Sequence, residues 1–289
     1  MNILTRDPLD TIPQYRYDHA PAAPTGDLVT GTTVVENSDG ERLLLYGSLA
    51  GADLELCDRL LQWFPRLKGW KESKKGNAPS SAGRLSGLKN SHCVFGATPP
   101  VPLRKRWGAS ISGFNRRYPT AATALESLAV ACADQFAEQM PDEWAHHNSE
   151  VRGSIDAGWL MAGGRAPWTS CIVNHSSAMA YHRDASNIKG SMSAMVVLRD
   201  DAVGNGHLHI PALDVILACG HGSLSIFDGC ASLHGVTPMT GLERGHRFSV
   251  VFYAKREFRD VLPPGQEVRR AQQRSTASAE RQVERQEAP

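Results

Sequence analysis

The feature that constrains the fold most is a set of two histidines and one aspartate with the spacing of a metal site. His182 and Asp184 stand two residues apart, and His234 follows about fifty residues later. Side chains at positions i and i+2 of a strand point to the same side, so His182 and Asp184 can hold one ion. His234 must then reach the same ion from another strand. Two histidines and a carboxylate on one face of an ion form the ligand set of a non-haem Fe(II) site.

Short strand patterns surround these three residues. Apolar or alternating runs, with glycine-containing turns between them, occupy residues 168–174, 193–198, 206–211, 220–227 and 247–253. Short strands separated by turns at such intervals are typical of a double-stranded β-helix. The predicted fold class is therefore mainly β with flanking helices, built around a double-stranded β-helix (jelly-roll) core.

The spacing of four residues resembles the signature of the Fe(II)/2-oxoglutarate dioxygenase superfamily. The signature consists of His182-x-Asp184, His234 and, thirteen residues after His234, Arg247. The resemblance covers roughly residues 150–257 and implies a jelly-roll dioxygenase core. It also implies that His182, Asp184 and His234 bind Fe(II), with 2-oxoglutarate as the co-substrate.

Within that superfamily, the chain most resembles the TET/JBP group, which oxidises the 5-methyl carbon of pyrimidines in DNA. This narrower resemblance rests on Asn187 in His-x-Asp-x-x-Asn, on the predicted strand that ends at Asn174, and on Arg247-x-Ser249-x-x-x-Tyr253. It implies that Asn187 helps to read a flipped base and that Tyr253 packs against this base.

Lys255 departs from the family pattern. Animal members carry a histidine two residues after the tyrosine, where it bonds the base, whereas this chain carries Lys255 two residues after Tyr253. Lys255 is therefore a third candidate for substrate contact. The departure leaves the preferred base open between 5-methylcytosine, which is favoured, and thymine.

Co-substrate binding requires a partner for the distal carboxylate of 2-oxoglutarate. A planar guanidinium pairs with a carboxylate through two hydrogen bonds, which suits the role better than an ammonium does. Arg247 is the candidate, Ser249 is expected to donate a supporting hydrogen bond, and Asn174 is a further candidate for the pocket. His207 and His209 alternate on a predicted strand and could both face the pocket, whereas His147 is expected to be exposed or to cap a helix.

Positive charge is concentrated in one segment of the chain. The whole protein has a formal net charge of +1, but residues 66–117 alone sum to +11, because Glu72 is their only acidic residue. Such segregation is typical of a phosphate-binding face, although a solvated basic loop is the plainer interpretation. Beside a base-oxidation site, we interpret the segment as a contact for duplex DNA, with Arg104, Lys105 and Arg106 as its central cluster.

Composition changes along the chain predict four regions. Residues 1–27 are expected to be loosely ordered, and residues 28–149 to form an N-terminal helical and basic elaboration packed on the core. Residues 150–260 form the predicted catalytic core, and residues 261–289 a disordered charged tail, with a marginal charged helix over 265–289 as the alternative. Within 28–149, Asn37-Ser-Asp-Gly40 predicts a hairpin, residues 71–102 a long loop, and apolar spacing an amphipathic helix from Pro119 to Pro141.

The remaining composition favours an intracellular protein. The six cysteines are dispersed, which favours reduced thiols over disulfides or structural zinc. No run approaches membrane-spanning length and the N-terminus lacks an apolar signal region, so we expect no membrane partner. The expected location is the cytoplasm, or the nucleus of a eukaryote, and the oligomeric state is left open.

The sequence thus predicts a Fe(II)/2-oxoglutarate-dependent dioxygenase that hydroxylates the 5-methyl group of a pyrimidine in DNA and releases succinate and CO₂. One alternative is a relative that hydroxylates a protein side chain or a small molecule. A second is a catalytically silent jelly-roll protein that binds DNA or acts as a sensor. Retention of all three metal ligands together with Arg247 disfavours the silent protein.

Overall fold

The computed structural model describes residues 1–9, 24, 26–72, 91–101, 108–176 and 178–287. Its strands are β1 (Asn2–Thr5), β2 (Asp27–Val29), β3 (Thr33–Glu36), β4 (Arg42–Ser48), β5 (Lys71–Glu72), β6 (Ser91–Thr98), β7 (Ser110–Ile111), β8 (Ser170–His175), β9 (Ser193–Arg199), β10 (Gly204–Asn205), β11 (Leu208–Ile210), β12 (Val215–Leu217), β13 (Ser223–Phe227), β14 (Gly235–Val236), β15 (Met239–Thr240) and β16 (Arg247–Tyr253). Its helices are α1 (Gly51–Trp63), α2 (Gly113–Arg117), α3 (Pro119–Gln139), α4 (Pro141–Ser154) and α5 (Pro264–Glu287).

Most strands belong to one of two facing sheets. The large sheet has the order β1-β3-β4-β13-β9-β16-β8-β6-β5, with β7 paired to β6 outside this path. The small sheet has the order β14-β11-β12-β2, and β10 pairs with β15 in a separate ribbon. Between β9 and β16 the chain crosses repeatedly from one sheet to the other, since β9, β13 and β16 belong to the large sheet and β11, β12 and β14 to the small one. This arrangement is the predicted jelly roll. The fold class is confirmed.

The large sheet is covered on both faces, which explains why its central strands are so apolar. In β9, Ala194, Val196 and Leu198 belong to the hydrophobic core beneath the helices. Their neighbours Met195 and Val197 belong to a second core between the two sheets. Side chains alternate across a strand, so a strand buried on both faces reads as a nearly continuous apolar run.

Helices α1 and α3 form the outer layer of the large sheet. Pro119 opens α3, where its missing N–H costs no helical hydrogen bond, and Leu125, Leu128 and Phe136 are fully buried beneath the helix. The amphipathic helix predicted from Pro119 is therefore present and ends at Gln139. Pro141 then begins α4. Among the described helices, none combines the length and the apolar character that a membrane span needs.

The division between an N-terminal elaboration and a catalytic core at residue 150 differs from the structure. Strand β4 of the predicted hairpin pairs with β13, and β6 pairs with β8, so both are integral strands of the large sheet. Strand β6 also replaces part of the long loop predicted for 71–102. Local patterns identify a strand but not a partner that lies more than seventy residues away, and this is why the sequence placed β4 and β6 outside the core.

Both chain ends are ordered where the structure describes them, and at the N-terminus this differs from the predicted loose order. At the N-terminus, β1 pairs in parallel with the edge strand β3. At the C-terminus, α5 is the charged helix that was one of the two predicted forms, and Glu267 anchors its first turn. The Glu267 side chain is fully buried, and it accepts hydrogen bonds from the backbone N–H groups of Ala109 and Leu262 at 3.2 and 3.3 Å.

All six cysteines are free thiols, as their dispersed positions predict. Five of them are buried and Cys230 is intermediate. Burial raises the pKa of the Cys57 thiol to about 12, so this side chain is protonated near neutral pH and behaves as a small apolar group.

His147 is buried in α4, contrary to the exposed or capping position expected for it. Its Nδ1 accepts a hydrogen bond from the backbone N–H of Met192 at 2.9 Å. Its Nε2, when protonated, donates to the carbonyl of Pro167 at 3.3 Å. The neutral ring thus joins the helical layer to two loops of the barrel. Burial lowers its pKa from the ordinary 6.5 to about 4.

The buried neutral state of His147 predicts a loss of stability in mild acid. Below the ordinary pKa of 6.5 the imidazole of His147 is protonated in the unfolded chain, whereas in the folded protein it stays neutral down to about pH 4. The free energy of unfolding should therefore decrease as the pH is lowered through this window. His147 should account for about 1.5 kcal/mol of the decrease between roughly pH 6.5 and 5. The measurement is urea unfolding of metal-free protein and of His147→Gln across this range. An equal pH slope in both proteins would contradict the assignment.

Candidate active site

His182 and His234 are joined by their backbones. They form an isolated antiparallel bridge, in which the His182 N–H donates to the His234 carbonyl at 2.9 Å and the His234 N–H donates to the His182 carbonyl at 3.0 Å. Residues in such a pair present their side chains to the same face. The two ring centroids lie 4.3 Å apart. Two distant positions in the chain are thereby fixed side by side.

Asp184 joins this pair through its own backbone and through a neighbouring amide. Its N–H donates to the carbonyl of Gly229 at 2.9 Å. Its Oδ1 lies 3.9 Å from Nε2 of His182, and its Oδ2 accepts a hydrogen bond from Nδ2 of Asn187 at 3.3 Å. Nδ2 of Asn187 also donates to the hydroxyl of Ser193 at 3.0 Å. Asn187 therefore holds the carboxylate in position.

The two histidines and the aspartate fit a metal ion. One donor atom from each residue lies within 4.8 Å of the other two. Nδ1 of His182 lies 2.9 Å from the carbonyl of Ala180, and Nδ1 of His234 lies 2.9 Å from that of Ser232. A proton on each Nδ1 satisfies these bonds and leaves both Nε2 lone pairs for the metal. Burial, and then the charge of His182, lowers the pKa of His234, which favours its neutral, metal-binding form.

A cavity of about 260 Å³ opens beside these three side chains. Eight residues predicted from the sequence line it: His182, Asp184, His234, Asn174, Asn187, Ser249, Tyr253 and Lys255. Strand β16 supplies Ser249, Val251 and Tyr253 on its cavity face, as its alternation predicts. Asn174 stands opposite Ser249 on β8, and its Nδ2 donates to Oγ of Ser249 at 3.4 Å.

The walls of the cavity are largely apolar, and Tyr253 at the end of β16 lines it together with Lys255, which follows the strand. Ile172, Met195 and Phe227 contribute apolar surface. Tyr253 is 8% exposed, and burial raises the pKa of its hydroxyl, so the phenol stays neutral. The ammonium of Lys255 lies 5.5 Å from the centre of the Tyr253 ring, within cation–π distance.

Arg247 is on the same face of β16 but is not among the residues that line the cavity. It lies two positions before Ser249 and is 1% exposed. Its Nη2 donates to the carbonyl of Gly206 at 2.9 Å, and its Nε has no hydrogen-bond partner among the described residues. No carboxylate in the described part of the chain forms an ion pair with it. Arg199 stands directly opposite on β9, so a second positive charge faces it.

A buried cation beside a like charge is costly unless an anion compensates it. The free Nε of Arg247 and the missing counter-charge therefore fit a bound carboxylate. Burial, as the largest cause, lowers the pKa of Arg247, although a guanidinium remains charged in proteins. Gly206 makes room for this side chain, because a Cβ at that position would lie 3.0 Å from Nε of Arg247.

Three predicted DNA contacts, Arg104, Lys105 and Arg106, lie outside the described residues. His207 and His209, considered as pocket residues, are not among the cavity lining either. His209 is fully buried, and its Nδ1 lies 2.6 Å from the hydroxyl of Tyr181.

Two further residues support Asp184, and the sequence patterns did not single them out. The thiol of Cys230 donates to the backbone carbonyl of Asp184 at 2.6 Å. Gly229 leaves space for the carboxylate, since a Cβ there would overlap Oδ2 of Asp184 and would lie 3.1 Å from its Cγ. The Asp228-Gly229 dipeptide reads only as a turn, so the spatial reason for this glycine appears only in the folded structure.

Comparison with known proteins identifies the oxygenase family. The model of the Tet_JBP family, described as the oxygenase domain of the 2OGFeDO superfamily, matches residues 110–256. A solved structure described as NgTET1 in complex with 5mC DNA superposes with a TM-score of 0.59 at 14% identity, covering 90% of this chain and 84% of that one. A 2OG-Fe(II) oxygenase family oxidoreductase from Burkholderia pseudomallei superposes with a TM-score of 0.44 at 15% identity, covering 74% and 85%. No curated protein matches the sequence.

We propose His182, Asp184 and His234 as the metal ligands, and Gly229 offers a test that leaves all three in place. In Gly229→Ala the new methyl group displaces the Asp184 carboxylate, so the affinity for Fe(II) should fall by roughly tenfold to a hundredfold. Anaerobic calorimetric titration measures this affinity. Gly153→Ala is the matched control, because a Cβ at Gly153 meets nothing within 4 Å. Equal Fe(II) affinities in the two variants would refute this role of Asp184.

Proposed function

The chain belongs to the TET/JBP family of oxygenases, and from this membership we propose that it hydroxylates the 5-methyl group of a pyrimidine in DNA. The protein is a Fe(II)- and 2-oxoglutarate-dependent dioxygenase. The observation that carries the proposal is the family match over residues 110–256, which contains every residue proposed here for metal, co-substrate and base. 5-Methylcytosine is the favoured base and thymine the alternative.

The first task of the chain is to hold the metal by one face only. His182, Asp184 and His234 would occupy three positions and leave the opposite face for co-substrate and dioxygen. Bound Fe(II) and 2-oxoglutarate supply the oxidising chemistry, with succinate and CO₂ as products. Asn187, through its hydrogen bond to Asp184, keeps the carboxylate oriented toward the metal.

The second task is to orient the co-substrate. We assign the distal carboxylate of 2-oxoglutarate to Arg247, whose buried Nε has no partner among the described residues. A carboxylate there would neutralise a charge that the described part of the protein leaves uncompensated. Ser249 lies two residues after Arg247 on the same strand face, lines the cavity and is placed to donate a hydrogen bond. Asn174, bonded to Ser249, fixes the orientation of its hydroxyl.

The third task is to receive the base. A base stacked in a duplex cannot reach an ion inside a barrel, so the nucleotide must be flipped, which costs a few kcal/mol. The apolar walls and the neutral phenol of Tyr253 suit a pyrimidine ring and its methyl group. Asn187 lines the same cavity, but its amide N–H groups already bond Asp184 and Ser193, which leaves its carbonyl oxygen for a base donor. Lys255 offers a donor for a base acceptor.

Two observations support DNA as the carrier of that base. The solved structure of NgTET1, which shares the fold, is a complex with 5mC DNA. The segment 66–117 carries a formal charge of +11, which suits a phosphate backbone. Within it, Arg104, Lys105 and Arg106 remain proposed phosphate contacts.

Replacing Arg247 tests the co-substrate assignment. Arg247→Lys keeps the charge but loses the two-point pairing with the carboxylate. The apparent KM for 2-oxoglutarate should rise by roughly tenfold to a hundredfold, equivalent to about 1.5–3 kcal/mol. Succinate release at varied 2-oxoglutarate concentration measures it, with the exposed Arg244→Lys as control. An unchanged KM would assign the carboxylate to another cation, with Arg199 the next candidate.

The substrate is tested by product analysis. Protein loaded anaerobically with Fe(II) receives 2-oxoglutarate, oxygen and a duplex that carries either 5-methylcytosine or thymine as its only 5-methylpyrimidine. Mass spectrometry of the nucleosides should detect a 5-hydroxymethylpyrimidine in amounts that match succinate, and Asp184→Ala should form neither product. Succinate release without any modified nucleoside from either duplex would overturn the DNA substrate while leaving the dioxygenase class intact.

A further inference from the structure

A second and larger concavity adjoins the cavity. This groove of about 890 Å³ runs past the end of β6, along β7 and across α2. Lys255 lines both the groove and the 260 Å³ cavity, so the two adjoin at this side chain. A long ligand with one end in the cavity could therefore place its adjoining part in the groove.

The groove is positively charged on its described surface. Lys71, Arg116 and Arg117 are exposed and line it together with Lys255, and Glu257 is the only acidic residue among the described lining. Nη1 of Arg116 donates to the carbonyl of Ile111 at 2.9 Å, and the Arg117 guanidinium packs against Gly69. Neither arginine forms an ion pair with a described carboxylate. Both are therefore positioned, yet their charges remain available to an anion.

The floor of the groove is held by hydrogen bonds from several directions. Ile111 and Ser110 on β7 pair with β6, and the hydroxyl of Ser112 donates to the carbonyl of Val94 at 2.5 Å. The side chain of Asn115 accepts from the N–H of Gly96 at 2.7 Å. The N–H of Ala109, the residue just before β7, donates a hydrogen bond to the buried side chain of Glu267. The surface is thus built into the fold.

Apolar side chains form the rest of the wall. Pro99, Pro100, Val101 and Ile111 line the groove together with its cations, and Ile111 is 42% exposed. A surface that carries both positive charge and apolar side chains suits a nucleic acid strand, which presents phosphates and base faces. An acidic peptide would use the cations but would gain little from the apolar wall.

We propose that this groove binds the nucleotides that flank the flipped base on one side, with Lys71, Arg116 and Arg117 on their phosphates and Lys255 at the junction with the cavity. The inference rests on the proposed function for the base in the cavity. It adds the path that the nucleic acid strand follows outside the cavity. The groove predicts that the protein distinguishes the two sides of its target nucleotide, because only one side lies on this cationic surface.

Arg116→Ala/Arg117→Ala tests the path. Fluorescence anisotropy gives the Kd of labelled oligonucleotides for the Fe(II)- and 2-oxoglutarate-loaded protein without oxygen, so that binding is measured apart from turnover. Loss of two phosphate contacts should weaken binding roughly tenfold to a hundredfold at about 50 mM salt and lower the slope of log K against log salt by about 1.5. The control Arg59→Ala/Arg244→Ala removes equal charge from exposed sites outside the groove. Lys71→Ala should cause about half the loss of slope if the double variant does not fold.

A length series tests the direction. Starting from a trinucleotide with a central 5-methylpyrimidine, nucleotides are added to the 5′ or to the 3′ side. In the wild type one direction alone should increase affinity, and in the double variant that gain should disappear. Equal gains on both sides, or a double variant indistinguishable from the control, would overturn the proposal.

Two further outcomes separate the possible failures. If a glutamate oligopeptide of equal charge binds as tightly as the oligonucleotide and loses as much affinity in the double variant, the groove is not specific for nucleic acid and the proposal fails. If no hydroxymethyl product forms but the variant still loses its salt slope and its directional gain, the groove assignment stands and the substrate proposal alone is overturned.

Discussion

The backbone bridge between His182 and His234 is the constraint on which the site depends. Its two main-chain hydrogen bonds fix the relative positions of both rings, and a carbonyl two residues before each histidine fixes the ring rotation. Asp184 then takes its place through a third main-chain bond to Gly229. The donor geometry is thus set by the barrel backbone, and each such bond contributes only about 1 kcal/mol to folding. The ligand side chains add little to the core, which separates metal binding from the stability of the barrel.

Strand β16 shows how one strand serves both packing and chemistry. Phe248, Val250 and Phe252 belong to the core beneath the helices, while Ser249 and Tyr253 face the cavity. Because side chains alternate, a shift of one residue in the pairing with β8 and β9 would exchange the two sets. Burial of the aromatic side chains therefore keeps the polar ones in register with the metal centre.

Periodicity and spacing sufficed for those parts of the site that follow from local geometry. The i, i+2 relation of His182 and Asp184 and the alternation of β16 predict which side chains share a face, and the predicted ones do line the cavity. Asn187 and Lys255 line it too, but they were predicted from the family resemblance. Long-range pairing was not predictable in this way. The position of β6 beside β8 and the anchoring of α5 by Glu267 depend on partners that no local pattern specifies. Gly229 shows the same limit, since a turn glycine and a glycine that makes room for a carboxylate look alike in sequence.

The membership of β4 and β6 in the large sheet means that the family segment and the folding unit are not the same stretch of chain. A protein cut to residues 110–256 would keep the proposed metal, co-substrate and base residues but would lose both β4 and β6. The unpaired edges of β13 and β8 would then be open to association with other chains. The segment that matches the family would therefore be a poor choice for expression on its own, because strands outside this segment support the residues by which the family is recognised.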